Sequence, residues 1–106
     1  MLGQSLKYLS AQLSDKKISS VELTTEYLNR IQSQNSELNA FITVNEALSL
    51  EQARKADQLI ARGNAAPLTG IPIAQKDIFC TKDWLTTCGS KMLANFIAPY
   101  DATVIE

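Results

Sequence analysis

The sequence predicts an α/β fold, because segments with helical periodicity alternate with segments whose apolar residues recur at every second position. The helical pattern occupies residues 1–35 and 46–62, and the alternating pattern occupies residues 38–44. Residues 70–100 combine a second alternating segment with a long loop. With 106 residues, 45% of them hydrophobic, the chain can bury one modest core. We therefore predict a single domain over residues 1–106.

The first 35 residues predict two helices. Leu6, Leu9 and Leu13 recur at the i, i+3, i+7 spacing of a short helix. Ser19 and Glu22 then form a capping-box pattern, in which a hydroxyl and a carboxylate each bond a free backbone N–H at the start of a second helix. The predicted buried stripe of this second helix comprises Val21, Tyr27, Leu28 and Ile31.

The turn formers of residues 33–39 are expected to end the second helix, and a short strand follows at residues 38–44. A third helix is predicted at residues 46–62, where Glu51 and Lys55 are spaced to pair at i, i+4. Its inward face consists of Ala53, Ala56 and Ile60. The dipeptide Gly63-Asn64 is expected to stop it.

The segment "GIPIAQKDIFC", residues 70–80, is an apolar run with two charges in its middle. As a strand it places Ala74 and Lys76 on one face and Asp77 on the other, so a direct Lys76–Asp77 ion pair is not expected. Burial of Lys76 would lower its pKa and let the neutral amine accept a proton as a general base. A polar turn at residues 75–77 is the simpler alternative, and the residues alone favour it because most charged side chains are solvated.

Composition excludes several kinds of site. The chain has no histidine, which rules out a Ser-His-Asp site, a Cys-His site or a His-ligated metal within these residues. Cys80 and Cys88 lack zinc-site spacing and are expected to be reduced thiols. The net charge is −1, and basic and acidic residues are mixed along the chain, so no nucleic-acid surface is predicted. With no signal peptide or membrane span in view, a cytoplasmic location is expected.

The stretches "PLTGIPIAQKDIFCT" and "TTCGSKMLANFIAPYDATV" resemble the start of the amidase signature family. The resemblance covers essentially the whole chain and implies the N-terminal fragment of a mixed β-sheet covered by helices, with the sheet incomplete. The family uses a Ser–cis-Ser–Lys triad, and its Gly-Ile-Pro-x-x-x-Lys-Asp motif matches Lys76 as the catalytic lysine. Asp77 follows as a structural or supporting residue. The dipeptide Asp83-Trp84 departs from the smaller, turn-like pair expected there.

The two serines of the triad belong to a Gly/Ser-rich segment of the family that these 106 residues do not contain. Ser90 is not assigned as the nucleophile, because no glycine-rich oxyanion loop surrounds it; a helix-start or turn role is expected instead. A lone lysine cannot form an acyl-enzyme, so residues 1–106 alone are expected to be inactive. Asp101 resembles an N-cap, and the chain stops less than two turns later, as though it were cut inside a helix.

Within the family, the resemblance is strongest to members that hydrolyse glutamine beside two partner subunits. It implies that one partner uses the released ammonia to amidate Glu-tRNA(Gln) with ATP and Mg²⁺, and that this chain itself binds no cofactor and no metal. Two alternatives stay open: a family hydrolase acting on small or fatty-acid amides, and a short, non-catalytic interaction module. An exposed sheet edge would favour self-association of the fragment.

Overall fold

The computed structural model describes residues 3–105, and its contacts divide them into two compact units. The first unit comprises the chain up to Asn39 together with Glu46–Ile73, and the second comprises Ala40–Asn45 and the chain from Ala74 onward. The α-helices of the described residues are α1 (Leu6–Ser14), α2 (Ser20–Leu38) and α3 (Glu46–Ala61), all in the first unit. Residues 1, 2 and 106, which fall within the predicted helical segments at the two ends of the chain, lie outside the described residues.

Helix α1 begins where the sequence predicts a short helix. The hydroxyl of Ser5 accepts a hydrogen bond from the backbone N–H of Tyr8 at 3.1 Å and caps the first turn. Leu9 and Leu13 are buried, whereas Leu6 stays exposed. The predicted leucine stripe is therefore confirmed for its two later positions.

The capping box of α2 is confirmed. The N–H of Glu22 donates to the Ser19 hydroxyl at 3.0 Å, and the N–H of Ser19 donates to the Glu22 carboxylate at 3.3 Å. The helix runs on to Leu38, so it ends within the predicted segment, residues 33–39, but beyond the predicted helical limit at residue 35. The assignment of Leu38 to a strand is wrong. Serine and asparagine cost a helix only a few tenths of a kcal/mol each, roughly, and the left-handed Asn39 provides the stop.

The core of the first unit is centred on a leucine that the sequence analysis did not select. Leu23 has 0% of its surface exposed. The predicted stripe included neither Leu23 nor its polar neighbour Thr24, which is also buried. Leu28 is buried as predicted. The core cluster consists of Leu9, Leu13, Ile18 and Leu23, with Tyr27, Ile60 and Ile71 packed against it.

Helix α3 closely follows its predicted range of residues 46–62. The Glu51–Lys55 pair forms at 3.2 Å on the exposed side. At the other end, the N–H of Gly63 bonds the carbonyl of Ile60, and the N–H of Asn64 bonds the carbonyl of Leu59. These two hydrogen bonds form a Schellman motif, which needs a residue with positive φ, and Gly63 suits it because its φ is +75°. The predicted stop is confirmed.

A carboxylate from α3 caps the start of α2. The Asp57 oxygens accept from the backbone N–H groups of Ser20 at 2.6 Å and Val21 at 3.2 Å. The hydroxyl of Ser20 donates to the carbonyl of Gly70 at 2.8 Å. Gly70 has a φ of +88°, and a Cβ there would lie 3.2 Å from the Cβ of Ser20. Glycine is required at this position for both reasons.

Asp57→Ala is expected to lower the free energy of unfolding by about 1–2 kcal/mol, because it leaves two N–H groups of α2 without a partner. The measurement is urea unfolding followed by circular dichroism at neutral pH. Glu51→Ala is the matched control: it removes a carboxylate from the same helix, but only from an exposed pair worth at most about 0.5 kcal/mol. Equal losses in the two variants would contradict the capping role.

The second unit is built from turns. Between residues 3 and 105 no strand forms, and the one antiparallel bridge joins Leu85 to Ile97. The predicted strands at residues 38–44 and 70–76 are therefore wrong for this structure, and the sheet of the predicted α/β class is absent from the described residues. An extended segment becomes a strand only when it pairs with a second segment in a ladder of backbone hydrogen bonds, and no such ladder forms between residues 3 and 105. Ile73 is accordingly 80% exposed.

Candidate active site

Lys76 lies at the start of a turn in the second unit. Its backbone carbonyl accepts from the N–H of Phe79 at 3.2 Å, and its side chain is exposed. Ala74 and Gln75 before it are exposed as well. The expected burial of Lys76 on a strand is thus not found, because no sheet covers this segment of the described chain. The polar-turn alternative describes the local backbone better.

Asp77, the next residue, is bonded at both its side chain and its backbone. Its carboxylate accepts from the N–H of Thr87 at 2.8 Å and also from the Thr87 hydroxyl. Its carbonyl accepts from the N–H of Cys88 at 2.9 Å. Burial raises the pKa of Asp77, but the hydrogen bonds from the Thr87 hydroxyl and N–H, together with the nearby backbone N–H groups of Gly89 and Cys88, outweigh it, so the pKa lies below its ordinary value of 3.8.

These bonds predict an acid-sensitive second unit. Because the folded-state pKa of Asp77 is lowered, its contribution to stability is complete above the ordinary pKa and is lost as the pH falls through the folded-state value. The fluorescence of Trp84 should report unfolding of this unit at lower urea concentration as the pH falls from neutral to 3. Asp77→Asn should flatten that dependence, since the amide does not titrate. Identical pH profiles for the two proteins would contradict the role of the carboxylate.

Residues 87–90 form the turn that holds Asp77. Cys88 and Gly89 both have positive φ, +53° and +68°. The N–H of Ser90 donates to the carbonyl of Thr87 at 2.8 Å, and the hydroxyl of Ser90 accepts from the N–H of Met92 at 3.2 Å. Ser90 thereby caps a short 3₁₀-helix at Lys91–Leu93, so the predicted helix-start role of this serine matches the geometry.

Asp101 does not cap a helix. Its carboxylate accepts from the backbone N–H of Lys82 at 2.7 Å, and residues 103–105 form a turn. The predicted helix start is therefore wrong over the described residues, because the carboxylate of Asp101 bonds a backbone N–H in a loop nineteen residues earlier in the chain. The bonds between the Asp83–Trp84 and Ala98 backbones close the same loop.

Cys80 and Cys88 are free thiols. Within residues 3–105, no three Cys, Asp or Glu side chains come together to hold a metal ion. None of the helices described is long and apolar enough to cross a bilayer.

Residues 22–106 match the family described as Amidase, which is most of the chain. This chain belongs to the amidase family.

Three curated relatives share one name, that of the A subunit of glutamyl-tRNA(Gln) amidotransferase. The chain is 66% identical to the protein of that name from Nitrosomonas europaea, 69% identical to the one from Methylobacillus flagellatus, and 60% identical to the one from Coxiella burnetii. Each alignment covers all 106 residues of the chain and 22% of the relative's length.

Proposed function

We propose that this chain is the front part of the glutamine-hydrolysing subunit of a glutamyl-tRNA(Gln) amidotransferase. The observation that supports it is the 60–69% identity over the whole chain to curated proteins named as one subunit of that enzyme. In this proposal, the complete protein releases ammonia from glutamine in the cytoplasm, and the sheet expected from the family is completed by residues beyond these 106.

Lys76 is the proton carrier of the proposed reaction. Its amine takes a proton from a bridging serine, which in turn takes one from the attacking serine, and the attack on glutamine gives an acyl-enzyme. The proton then returns to the departing ammonia, and water hydrolyses the acyl-enzyme to glutamate. Both serines belong to the remainder of the protein, so the 106-residue chain alone is expected to release no ammonia. Asp77 serves this site by holding the backbone beside the lysine.

The proposed complex has two further subunits, B and C. The B subunit uses the ammonia to convert Glu-tRNA(Gln) to Gln-tRNA(Gln) with ATP and Mg²⁺, and the small C subunit braces the pair. The chain described here contributes no cofactor site in this scheme. Its net charge of −1 suits a protein that meets tRNA through its partners. The exposed apolar side chains of the isolated chain favour its self-association.

The test is ammonia release by the full-length protein assembled with its partner subunits. Glutamine is expected to be hydrolysed, and small aliphatic amides and a fatty-acid amide are expected to be poor substrates. Preferential hydrolysis of either of those amides would replace the proposal with a different amidase-family hydrolase. No hydrolysis of any of the three substrates would favour a non-catalytic interaction module.

A further inference from the structure

Thr87 is bonded through both its peptide N–H and its hydroxyl. The N–H donates to one Asp77 oxygen at 2.8 Å, and the hydroxyl donates to the other. The hydroxyl also accepts from the N–H of Gly89 at 3.2 Å. Its direction is thereby fixed, since the carboxylate only accepts and the amide only donates. Thr87 is 7% exposed, so a lost partner would not be replaced freely by water.

The contacts of Thr87 extend to the residue that carries the proposed chemistry. Thr87 and Cys88 together hold Asp77 by three bonds, two to its carboxylate and one to its carbonyl. Asp77 is joined by its peptide bond to Lys76, whose own carbonyl is held by Phe79. Within the described residues, no hydrogen bond or ion pair reaches the Lys76 amine itself. The backbone at Lys76 is therefore held on its C-terminal side, which restricts where the side chain can place the amine.

From this geometry we infer that Thr87 is a positioning residue for Lys76: through the Asp77 carboxylate it fixes the peptide from which the lysine projects. The inference rests on the proposed function, in which the lysine amine exchanges protons with serines of the complete protein. Proton transfer needs heavy atoms within hydrogen-bond reach, and a displacement of about 1 Å can lower a rate about a hundredfold. Thr87 touches no reacting atom in this scheme.

The experiment uses the full-length protein in its complex and measures kcat and KM for ammonia release from glutamine. Thr87→Val keeps the shape of the side chain but removes the hydroxyl, leaving an Asp77 oxygen and the Gly89 N–H unpaired. The expected result is a fall in kcat of about tenfold to a hundredfold, with KM changed less than about twofold. Thr87→Ser restores the hydroxyl and is expected to recover most of kcat.

Thr86→Val is the matched control. Thr86 is as buried as its neighbour, but its hydroxyl donates at 3.4 Å to the carbonyl of Trp84 and not to Asp77. Its kcat is expected to stay within about twofold of the unaltered protein, with both rates expressed per folded protein measured by circular dichroism. If Thr87→Val does not fold, Asp77→Asn takes its place, because it alters the other end of the same bond.

The inference is overturned if Thr87→Val, or Asp77→Asn in its place, keeps the full kcat. Equal losses in the Thr86 and Thr87 variants would also overturn it, because a general loss of packing would then explain both. Failure of the proposed function is recognised separately: it is the case in which Lys76→Ala still releases ammonia normally. Loss of activity in Lys76→Ala with full activity in Thr87→Val defeats only the positioning role.

Discussion

Lys76→Ala, introduced into the full-length protein in its complex, is expected to lower the rate of ammonia release from glutamine by about a hundredfold to ten thousandfold. The amine is the only group of this chain assigned to proton transfer, and alanine offers neither a donor nor an acceptor. Lys76 is exposed in the described chain, and its backbone is held through its own carbonyl and through Asp77. The substitution should therefore leave the circular dichroism spectrum and the unfolding midpoint unchanged.

Two further variants separate a base from a mere positive charge. Lys76→Arg keeps the charge, but a guanidinium does not lose its proton in proteins, so this variant is expected to be nearly as inactive as Lys76→Ala. Lys82→Ala removes another exposed lysine of the second unit and is expected to keep full activity. Normal ammonia release by a folded Lys76→Ala variant would contradict the assignment of Lys76 as the catalytic base. Full activity in Lys76→Arg would show that the lysine acts through its positive charge and not as a base.

Leu23→Ala is expected to lower the free energy of unfolding of the first unit by about 2–5 kcal/mol. Leu23 has no exposed surface and lies in the core with Leu9, Leu13 and Ile18. Removing its branched end costs the transfer free energy of the lost methyl groups and leaves a cavity that the surrounding side chains cannot close completely. A loss this large is comparable with the total stability of a small domain.

Leu38→Ala is the control for the leucine-to-alanine change itself. Leu38 ends the same helix with 67% of its surface exposed, so its replacement should change the free energy of unfolding by no more than about 0.5 kcal/mol. Urea unfolding followed by circular dichroism at 222 nm measures both variants. If the two losses agree within error, Leu23 does not occupy the centre of the core.

The helices of this chain were predictable because their signals are local. Ser19 and Glu22 lie three residues apart, and Gly63 lies just after the last turn of α3, so the two partners of each interaction are only a few residues apart in the sequence. The cap supplied by Asp57 could not be predicted in this way, because it bonds residues 36 and 37 positions earlier. Only the packing of α2 against α3 brings these groups together.

The strands failed as predictions for a related reason. Residues 38–44 and 70–76 have the alternation of strands, but alternation describes side-chain faces and says nothing about whether a backbone partner is present. The first residue of the earlier segment, Leu38, was instead taken up by α2, whose intrahelical bonds need no partner from elsewhere. The backbone hydrogen bonds of a helix are local, whereas those of a strand are not.

The candidate site was predictable only as a motif. The resemblance of "GIPIAQKD" to a family pattern selects Lys76, and the order of residues then selects Asp77. The bond between Asp77 and Thr87 spans ten residues of loop with no periodicity, so the sequence alone did not identify Thr87 as the partner of Asp77. Its specific partner emerged from the fold of the turn at Cys88 and Gly89.

The two long-range hydrogen bonds of Ser20 affect the order in which α2 becomes stable during synthesis on the ribosome. Its N–H bonds a carboxylate made 37 residues later, and its hydroxyl bonds a carbonyl made 50 residues later. At an elongation rate of about 5–20 residues per second, roughly 3 to 10 seconds pass between the addition of Ser20 and the addition of Gly70. The nascent helix therefore begins with its own capping box alone, and its first turn is locked only when the later segments have left the exit tunnel.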